Sequence, residues 1–363
     1  MDKKTYKLKD FAAPIAVAVT DPQKSCHNIF VGLEHYDSGE PVISRFSDTS
    51  LLNSSCKEFQ KNDILIARRN VYLRRAGIAP FDGLTSGDSI VLRLFKDCEE
   101  RTGISYDVAI KIIPFVLNSN SFWLYANRHA DGMNSKRISK EKVLDYEFDL
   151  PSLAEQKVLA EKLWAAYEVK QSYLKMIAAT EEMVKSQFIE MFGDTHMKSE
   201  SSRQWKEVVE IINGKDYKSI QVEDGGYPVY GTGGEMARAS DYLSPANSIL
   251  LGRKGTIDKP LLVKEKYWNV DTAFGAVPDE TVLNYIYFYW HCKTIDFNVL
   301  NKGTTLPSTT KVDLLNLWVK IPGMEEQNRF ASIVEQADKS ISELRKSIDA
   351  IDKVIKSLIN ENL

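Results

Sequence analysis

Residues 149–156 read DLPSLAEQ, and residues 320–327 read KIPGMEEQ. The two stretches share an apolar residue, a proline and a closing Glu-Gln pair, and they lie 171 residues apart. The same offset aligns Gly132 with Gly303 and Lys140 with Lys311, so the second half of the chain repeats the first. A repeated chain predicts a molecule with two similar parts, which suits a target that is itself bipartite.

Each repeat ends in a segment with the apolar spacing of a coiled-coil helix. Over residues 330–358, apolar side chains recur at alternating intervals of four and three, which predicts an unbroken seam. The equivalent seam over residues 159–187 is interrupted by polar side chains at Lys170, Thr180 and Gln187. Polar residues in a seam weaken it but can fix its register.

Local signals place the ends of these helices. Ser152 and Glu155 form a capping-box pattern after Pro151, and Phe192-Gly193 is a helix stop, so the first helix is predicted over residues 152–192. The second helix is predicted from Gly323 nearly to Leu363. The order of segments makes the second helix run back antiparallel to the first. A further possibility is that the heptads join two copies of the chain.

The fold class predicted is α+β, with two mixed α/β globular domains, two long antiparallel coiled-coil helices between them, and an approximate twofold internal repeat. The predicted domain bounds are residues 1–140 for the first globular domain, 141–193 for the first helical spacer, 194–311 for the second globular domain and 312–363 for the second spacer.

Composition excludes several classes of protein. The chain is 43% hydrophobic and 27% charged, which is typical of a soluble globular protein. Four cysteines without C-x-x-C spacing are expected to be reduced core thiols, as in a cytoplasmic protein. A net charge of −3 argues against a simple DNA-coating protein. The first globular segment is basic and the helices are acidic, so any nucleic acid should bind the globular segments.

Each of two strand-like stretches is followed by a loop that begins with a pair of basic residues. Residues 63–67 precede Arg68-Arg69-Asn70, and residues 248–252 precede Arg253-Lys254. Arginine and asparagine match the hydrogen-bonding edges of guanine and adenine, and cations contact phosphate. The alternative is a solvated loop after a buried strand, but its recurrence in both segments favours function.

Catalytic patterns are missing from the sequence. Residues 231–234 (GTGG) lack the lysine of a phosphate-binding loop, and no H-E-x-x-H or Asn-Pro-Pro-aromatic pattern is present. The five histidines are scattered, and His291, after the aromatic run 285–290, is expected in the core. No nucleophile, base and oxyanion site can be assembled from these residues.

A globular segment followed by a hydrophobic-Pro-x-x-x-Glu-Gln lead into a long helix, occurring twice, resembles the specificity subunit of type I restriction-modification systems. The resemblance covers essentially the whole chain. Its most specific elements are residues 151–156 and 303–311 with 321–327, and residues 30–34, 227–234 and 252–256 also look like parts of that family's recognition domains.

The resemblance implies a non-catalytic subunit in which each globular segment reads one half of a split site in double-stranded DNA. The helices set the gap and dock two methyltransferase subunits, which bind S-adenosylmethionine and methylate adenine. A motor-nuclease subunit joins to give restriction. This chain itself is expected to hold no cofactor and no metal and to contact no membrane.

The strand ends and the resemblance together give the expected site residues. Those expected to contact DNA are Arg68, Arg69, Asn70, Arg74, Arg75, Tyr230, Thr232, Arg253, Lys254, Thr256, Lys302 and Thr304. Those expected to contact partner subunits are Glu155, Gln156, Glu326 and Gln327.

Two other classes of function compete with this interpretation. One is a coiled-coil scaffold whose globular ends bind proteins. The other is an unrecognised enzyme that modifies nucleic acid.

Overall fold

The computed structural model describes residues 3–50, 52–133, 135–303 and 306–363. The chain forms two compact units: the first comprises Met1–Tyr173 and Lys346–Leu363, and the second comprises Leu174–Arg345. The chain therefore crosses from one unit to the other at residues 173/174 and 345/346. Both crossings fall inside long helices.

The first unit contains three sheets and four short helices before its long helical segments. Its strands are β1 (Lys4–Lys7), β2 (Ala12–Ile15), β3 (Ala18–Val19), β4 (Ile29–Val31), β5 (Ser47–Asp48), β6 (Cys56–Phe59), β7 (Ile64–Ala67), β8 (Ala76–Ile78), β9 (Gly83–Thr85), β10 (Ser89–Leu94) and β11 (Glu147–Leu150). Its short helices are α1 (Cys98–Thr102), α2 (Tyr106–Val116), α3 (Asn120–His129) and α4 (Lys140–Leu144). The strand orders are β1-β11, β2-β10-β7-β8 and β3-β6-β9-β4-β5.

The long helix α5 (Leu153–Phe192) leads into the second unit, and α9 (Met324–Asn362) leads back. The strands of the second unit are β12 (Ser202–Gln204), β13 (Val209–Asn213), β14 (Gln221–Val222), β15 (Tyr227–Gly231), β16 (Gly234–Ala239), β17 (Ser248–Gly252), β18 (Leu261–Val263), β19 (Trp268–Asn269), β20 (Ala273–Pro278) and β21 (Trp318–Lys320). Its short helices are α6 (Trp205–Val208), α7 (Tyr285–Thr294) and α8 (Lys311–Leu315). The strand orders are β12-β21, β13-β20-β17-β18 and β14-β16-β15-β19.

The two units repeat the same sheet plan. The four-stranded sheet β2-β10-β7-β8 matches β13-β20-β17-β18, strand for strand and all antiparallel. In each unit, another sheet has one parallel pair, β4 with β9 and β15 with β19. The internal repeat therefore extends into the globular segments, where the sequences themselves differ.

Each unit also contains an antiparallel pair of long-helix segments. In the first unit, Leu159, Leu163 and Tyr167 of α5 share a buried cluster with Ile359 of α9. In the second unit, the ring of Phe330 in α9 lies 5.2 Å from Phe188 and 5.6 Å from Phe192 of α5. The start of each helix thus packs against the end of the other, and the predicted fold class is confirmed.

The Glu-Gln pair that opens each helix has a structural role. Glu155 accepts hydrogen bonds from the backbone N and the hydroxyl of Ser152, at 3.0 and 2.7 Å, as the capping pattern predicts. Gln156 is buried and its amide donates to the carbonyl oxygen of Pro151 at 2.8 Å. Gln327 repeats this bond to Pro322 at 2.9 Å. Burial leaves neither glutamine side chain open to a partner subunit, contrary to the prediction, whereas Glu326 is exposed.

Two further expectations are resolved by the fold. His291 is fully buried and lies 2.7 Å from the Thr195 hydroxyl, so it belongs to the core as predicted. Cys56, Cys98 and Cys292 are buried free thiols, but Cys26 is exposed, so the expectation of four core thiols was wrong for Cys26. Within the described residues, no helix is long and apolar enough to cross a membrane, and no group of metal-ligating side chains forms.

Replacing Gln327 by Met should destabilise the second unit. Its Oε1 accepts from the backbone N of Asn284 at 2.8 Å, and its Nε2 donates to the Val282 and Pro322 carbonyls. An apolar isostere leaves these buried groups unpaired, which should cost about 2–3 kcal/mol of unfolding free energy in urea denaturation. Gln336→Met, at an exposed position of the same helix, is the control. Equal stability of the two variants would contradict the assigned role of Gln327.

Candidate nucleic-acid interface

In the first unit, the basic loop emerges from the end of a buried central strand. All four residues of β7 are buried, and the strand pairs with β10 on one side and β8 on the other. The backbone N of Arg68 donates to the carbonyl oxygen of Asp88 at 3.0 Å, immediately before β10 begins. Arg68 to Asn70 therefore start from a rigid position at the sheet edge.

The second unit places its basic pair in the same way. Strand β17 is buried throughout and pairs with β20 and β18. The backbone N of Arg253 donates to the carbonyl oxygen of Thr272 at 2.9 Å, immediately before β20. Arg253 and Lys254 thus occupy the positions of Arg68 and Arg69.

A second loop braces the basic loop in both units. Ile138 donates its backbone N to Arg68 O at 3.0 Å, and Asn70 donates to Lys136 O at 2.8 Å. In the second unit, Thr309 donates to Arg253 O at 3.0 Å, and Gly255 donates to Pro307 O at 2.9 Å. The bracing residues of the two units are related by the 171-residue repeat, and residues 69 and 254 form isolated β-bridges with residues 137 and 308.

The bracing loop of the first unit adds charged residues that sequence reasoning missed. Arg137 lies 3.3 Å from the carboxylate of Asp88, and Arg69 lies 3.9 Å from the same carboxylate. Arg69 also donates to the Ser135 hydroxyl at 2.8 Å. The internal repeat could have identified this loop. Lys302, which was among the expected DNA-contacting residues, aligns at the 171-residue offset with Asp131, at the start of the first bracing loop.

Arg68 lies in a separate positive cluster. It is half-buried, and its Nε has no hydrogen-bond partner among the described residues. With Lys57, Lys140 and the acidic residue Glu141, it lines a cleft of about 310 Å³, so three cations face one carboxylate there. Burial lowers the pKa of Lys57, and the charges of Arg68 and Lys140 lower it further. Such a group of cations favours the approach of an anion.

The other predicted residues of this loop differ in availability. Asn70 and Arg74 have left-handed backbones, at φ values of 54° and 52°, which turn the chain sharply at both ends of the 71–73 segment. Arg74 is exposed and donates to the Asn120 side chain at 2.7 Å. Arg75 is half-buried, and its guanidinium donates to the carbonyl oxygens of Leu33 and Arg69. These bonds stabilise the loop from its buried side. Burial lowers the pKa of Arg75.

In the second unit, the cations near the same strand end differ in exposure. Arg253 is half-buried, with its guanidinium 3.4 Å from the Asp271 carbonyl oxygen and 5.7 Å from the centre of the Phe274 ring. Lys254 and Thr256 are exposed. Lys302 is tied to Asp313 by an ion pair of 2.6 Å, which lowers the pKa of that carboxyl. Thr304 lies outside the described residues.

A cleft of about 730 Å³ lies beside Arg253. Thr232 and the glycines around it form one wall, and Asp271 and Thr272, which hold Arg253, form another. Tyr230, in contrast, packs edge to face on Tyr267 with ring centres 5.7 Å apart. Burial raises the pKa of Tyr230. Thr232 therefore lines the same cleft as Asp271 and Thr272, the residues that hold Arg253, whereas much of Tyr230 is turned towards the core.

Residues 198–353 match the family described as the type I restriction modification DNA specificity domain. A curated relative, the type I restriction enzyme MjaVIII specificity subunit of Methanocaldococcus jannaschii, is 25% identical over 118 residues. That match spans 32% of this chain and 25% of the relative's own length.

Two solved structures share the fold over nearly the entire chain. One is the type I restriction-modification S subunit of M. genitalium, with a TM-score of 0.60, 12% identity and coverage of 99% of this chain and 95% of the other. The second is a chain from a study of assembly and conformational transition of the type I system, with a TM-score of 0.55, 17% identity and coverage of 99% and 97%. The sequence match over residues 198–353 and the fold agree, and the chain is similar to the specificity subunits of type I restriction-modification systems.

Proposed function

We propose that this chain is the DNA sequence-specificity subunit of a type I restriction-modification complex and that each globular segment reads one half of a bipartite site. The observation that carries the proposal is the recurrence of one construction in both units. A buried central strand ends in a cationic loop, and a second loop from the repeat braces it. A solvated surface loop does not require such bracing.

The chemistry of the two loops favours DNA over a protein partner. Arg69 and Arg137 share one carboxylate, so the group keeps a net positive charge beside the Arg68 cluster. Arginine offers paired donors to guanine, and both arginine and lysine contact phosphates.

The proposed contact set follows exposure and position. In the first unit it consists of Arg68, Arg69, Asn70 and Arg74 together with Arg137. In the second unit it consists of Thr232, Arg253, Lys254 and Thr256, with Lys302 at the base of its bracing loop. Arg75 and Tyr230 support these loops from the core side.

The remaining parts of the proposal concern partners. Residues 1–140 and 194–311 are the recognition domains, and residues 141–193 and 312–363 are helical spacers that set the gap and dock two methyltransferase subunits. Those subunits bind S-adenosylmethionine and methylate adenine, and a motor-nuclease subunit completes restriction in the cytoplasm. With a net charge of −3, this chain needs partners to supply much of the phosphate contact. The chain itself is non-catalytic.

Replacing the exposed basic residue of each loop should impair one half-site at a time. Arg69→Ala should weaken reading of one half, and Lys254→Ala should weaken reading of the other, each by roughly 1–3 kcal/mol if the side chain contacts a base. Methylation of DNA duplexes carrying single changes in either half-site measures this. If the side chains contact phosphate alone, affinity falls evenly over all sequences with a shallower salt dependence.

Lys61→Ala and Lys206→Ala are matched controls, because each removes an exposed cation from the same unit away from the loops. Wild-type methylation by both loop variants would remove Arg69 and Lys254 from the site. Loss at the same half-site in both variants would contradict the assignment of one half to each unit.

Lengthening both helices by one heptad should widen the gap of the recognised site. Insertion between Tyr173 and Leu174 and between Arg345 and Lys346 keeps both seams in phase. Seven residues add about 10 Å of helix, which corresponds to roughly three base pairs. Sequencing of methylated DNA gives the gap directly. Seven residues inserted instead at the exposed turn 224/225 should leave it unchanged, and an unaltered gap after the double insertion would rule out the helices as a ruler.

A further inference from the structure

Lys170 is a charged residue buried in the helix seam of the first unit. It occupies a seam position of α5, where the repeat places Ile341 in α9. Its side chain is 13% exposed, and those of its partners Glu40 and Asp352 are 23% and 39% exposed. Its ammonium donates to Glu40 Oε1 at 2.6 Å and to Asp352 Oδ1 at 2.8 Å.

These bonds join three elements of the first unit. Lys170 lies on α5, Asp352 lies on α9, and Glu40 lies in the connection between β4 and β5. That connection is bonded to the basic loop, because the backbone N of Gly39 donates to the Arg74 carbonyl oxygen at 3.1 Å. Pro41, the residue after Glu40, accepts a hydrogen bond at its carbonyl oxygen from the backbone N of Ile78 in β8, at 2.9 Å. A short bonded path therefore leads from the helix pair to the proposed DNA-contacting loop.

The remaining contacts between the globular segment and α5 are mainly apolar. Phe115 of α2 lies edge to face on Trp164, with ring centres 5.4 Å apart, and the Trp164 indole donates to the Lys111 carbonyl oxygen. Apolar contacts are non-directional. They therefore oppose separation of the globular segment from α5 more strongly than they oppose a small rotation between the two. Two short charged hydrogen bonds from one ammonium depend strongly on distance and angle.

Lys170, Glu40 and Asp352 form a charged triad. Removing these charges from water costs free energy, and the two hydrogen bonds of the ammonium offset that cost. Burial alone would lower the pKa of Lys170, yet the hydrogen bonds to Asp352 and Glu40 raise it above its ordinary value. The second oxygen of Glu40 is buried without a hydrogen-bond partner among the described residues. An apolar side chain of similar volume is often no less stable than a buried ion pair, so the triad is better explained by orientation than by stability.

The second unit joins its globular segment to the helices differently. Lys264, just after β18, approaches Asp338 of α9 at 3.5 Å, and the two side chains are 53% and 56% exposed. Exposed pairs of this kind contribute little and leave their partners mobile. The charged contact of the first unit is therefore partly buried, whereas that of the second unit is exposed. The buried polar link between α9 and the second globular segment is the neutral side chain of Gln327.

We propose that Lys170 is a positioning residue that fixes the rotation of the first globular segment on its helix pair and thereby holds its half-site at one distance along the DNA. This inference rests on the proposed function. It assigns no contact with DNA to Lys170, which acts through Glu40 and the 37–43 connection.

The test is Lys170→Met, which removes the charge and keeps most of the length of the side chain. Methylation is measured on duplexes with the wild-type gap and with gaps one base pair shorter or longer. Methylation at the altered gaps, relative to the wild-type gap, should rise by roughly five-fold or more. A merely stabilising residue would lower methylation at every gap alike. Lys264→Met and Lys162→Met are the controls and should keep the wild-type preference.

Glu40→Gln provides a second variant, because it removes the carboxylate charge with little change in shape and leaves the Lys170–Asp352 bond in place. It should relax the gap in the same direction, and it serves alone if Lys170→Met does not fold. Folded variants with the strict wild-type gap would overturn the role of Lys170. If the wild-type chain with its methyltransferase yields no bipartite motif, the proposed function itself fails, independently of Lys170.

Discussion

The structure depends on burying one apolar stripe along each long helix. In the second unit, Phe188 packs not only against Phe330 but also against Tyr287 and Trp290 of α7, with ring centres 5.6 and 6.4 Å apart. In the first unit, Phe115 of α2 shares a buried cluster with Leu159, Leu163 and Ile359. The helix pairs are therefore part of the cores of the globular segments, and the orientation of each recognition loop is coupled to the helices.

On this common scaffold, the two units present different chemistry. The strand end of the first unit carries Arg68-Arg69-Asn70, and that of the second carries Arg253-Lys254-Gly255. The bracing loops also differ, with Arg137 where the second unit has Ser308. Because equivalent positions bear different donors, the two halves of the site should have different sequences. In the proposed function, the duplicated scaffold keeps the geometry of DNA contact the same, and the loop residues determine which bases each unit recognises.

The sequence predicted the features that follow from local patterns. Heptad spacing and the capping pair at Ser152 gave the helices, and short apolar runs gave β7 and β17. Features that depend on contacts between residues distant in the chain could not be predicted from the sequence. The burial of Gln156 and Gln327 depends on carbonyl groups that a folded turn brings into reach, and the exposure of Cys26 depends on where its loop lies. The residues of the 135–137 bracing loop were missed because they approach the strand end across more than 60 residues of chain, although the repeat already aligned them with 306–308.

In the proposed function, the two units read two halves of one DNA site on behalf of a methyltransferase. Its most direct test is genome-wide mapping of methylated adenines in cells that carry this gene with its partner methyltransferase, compared with the same cells after deletion of this gene. We expect a motif of two short defined segments separated by unspecified bases, and we expect that motif to be lost on deletion. A single uninterrupted motif, or a bipartite motif that persists without the gene, would contradict it.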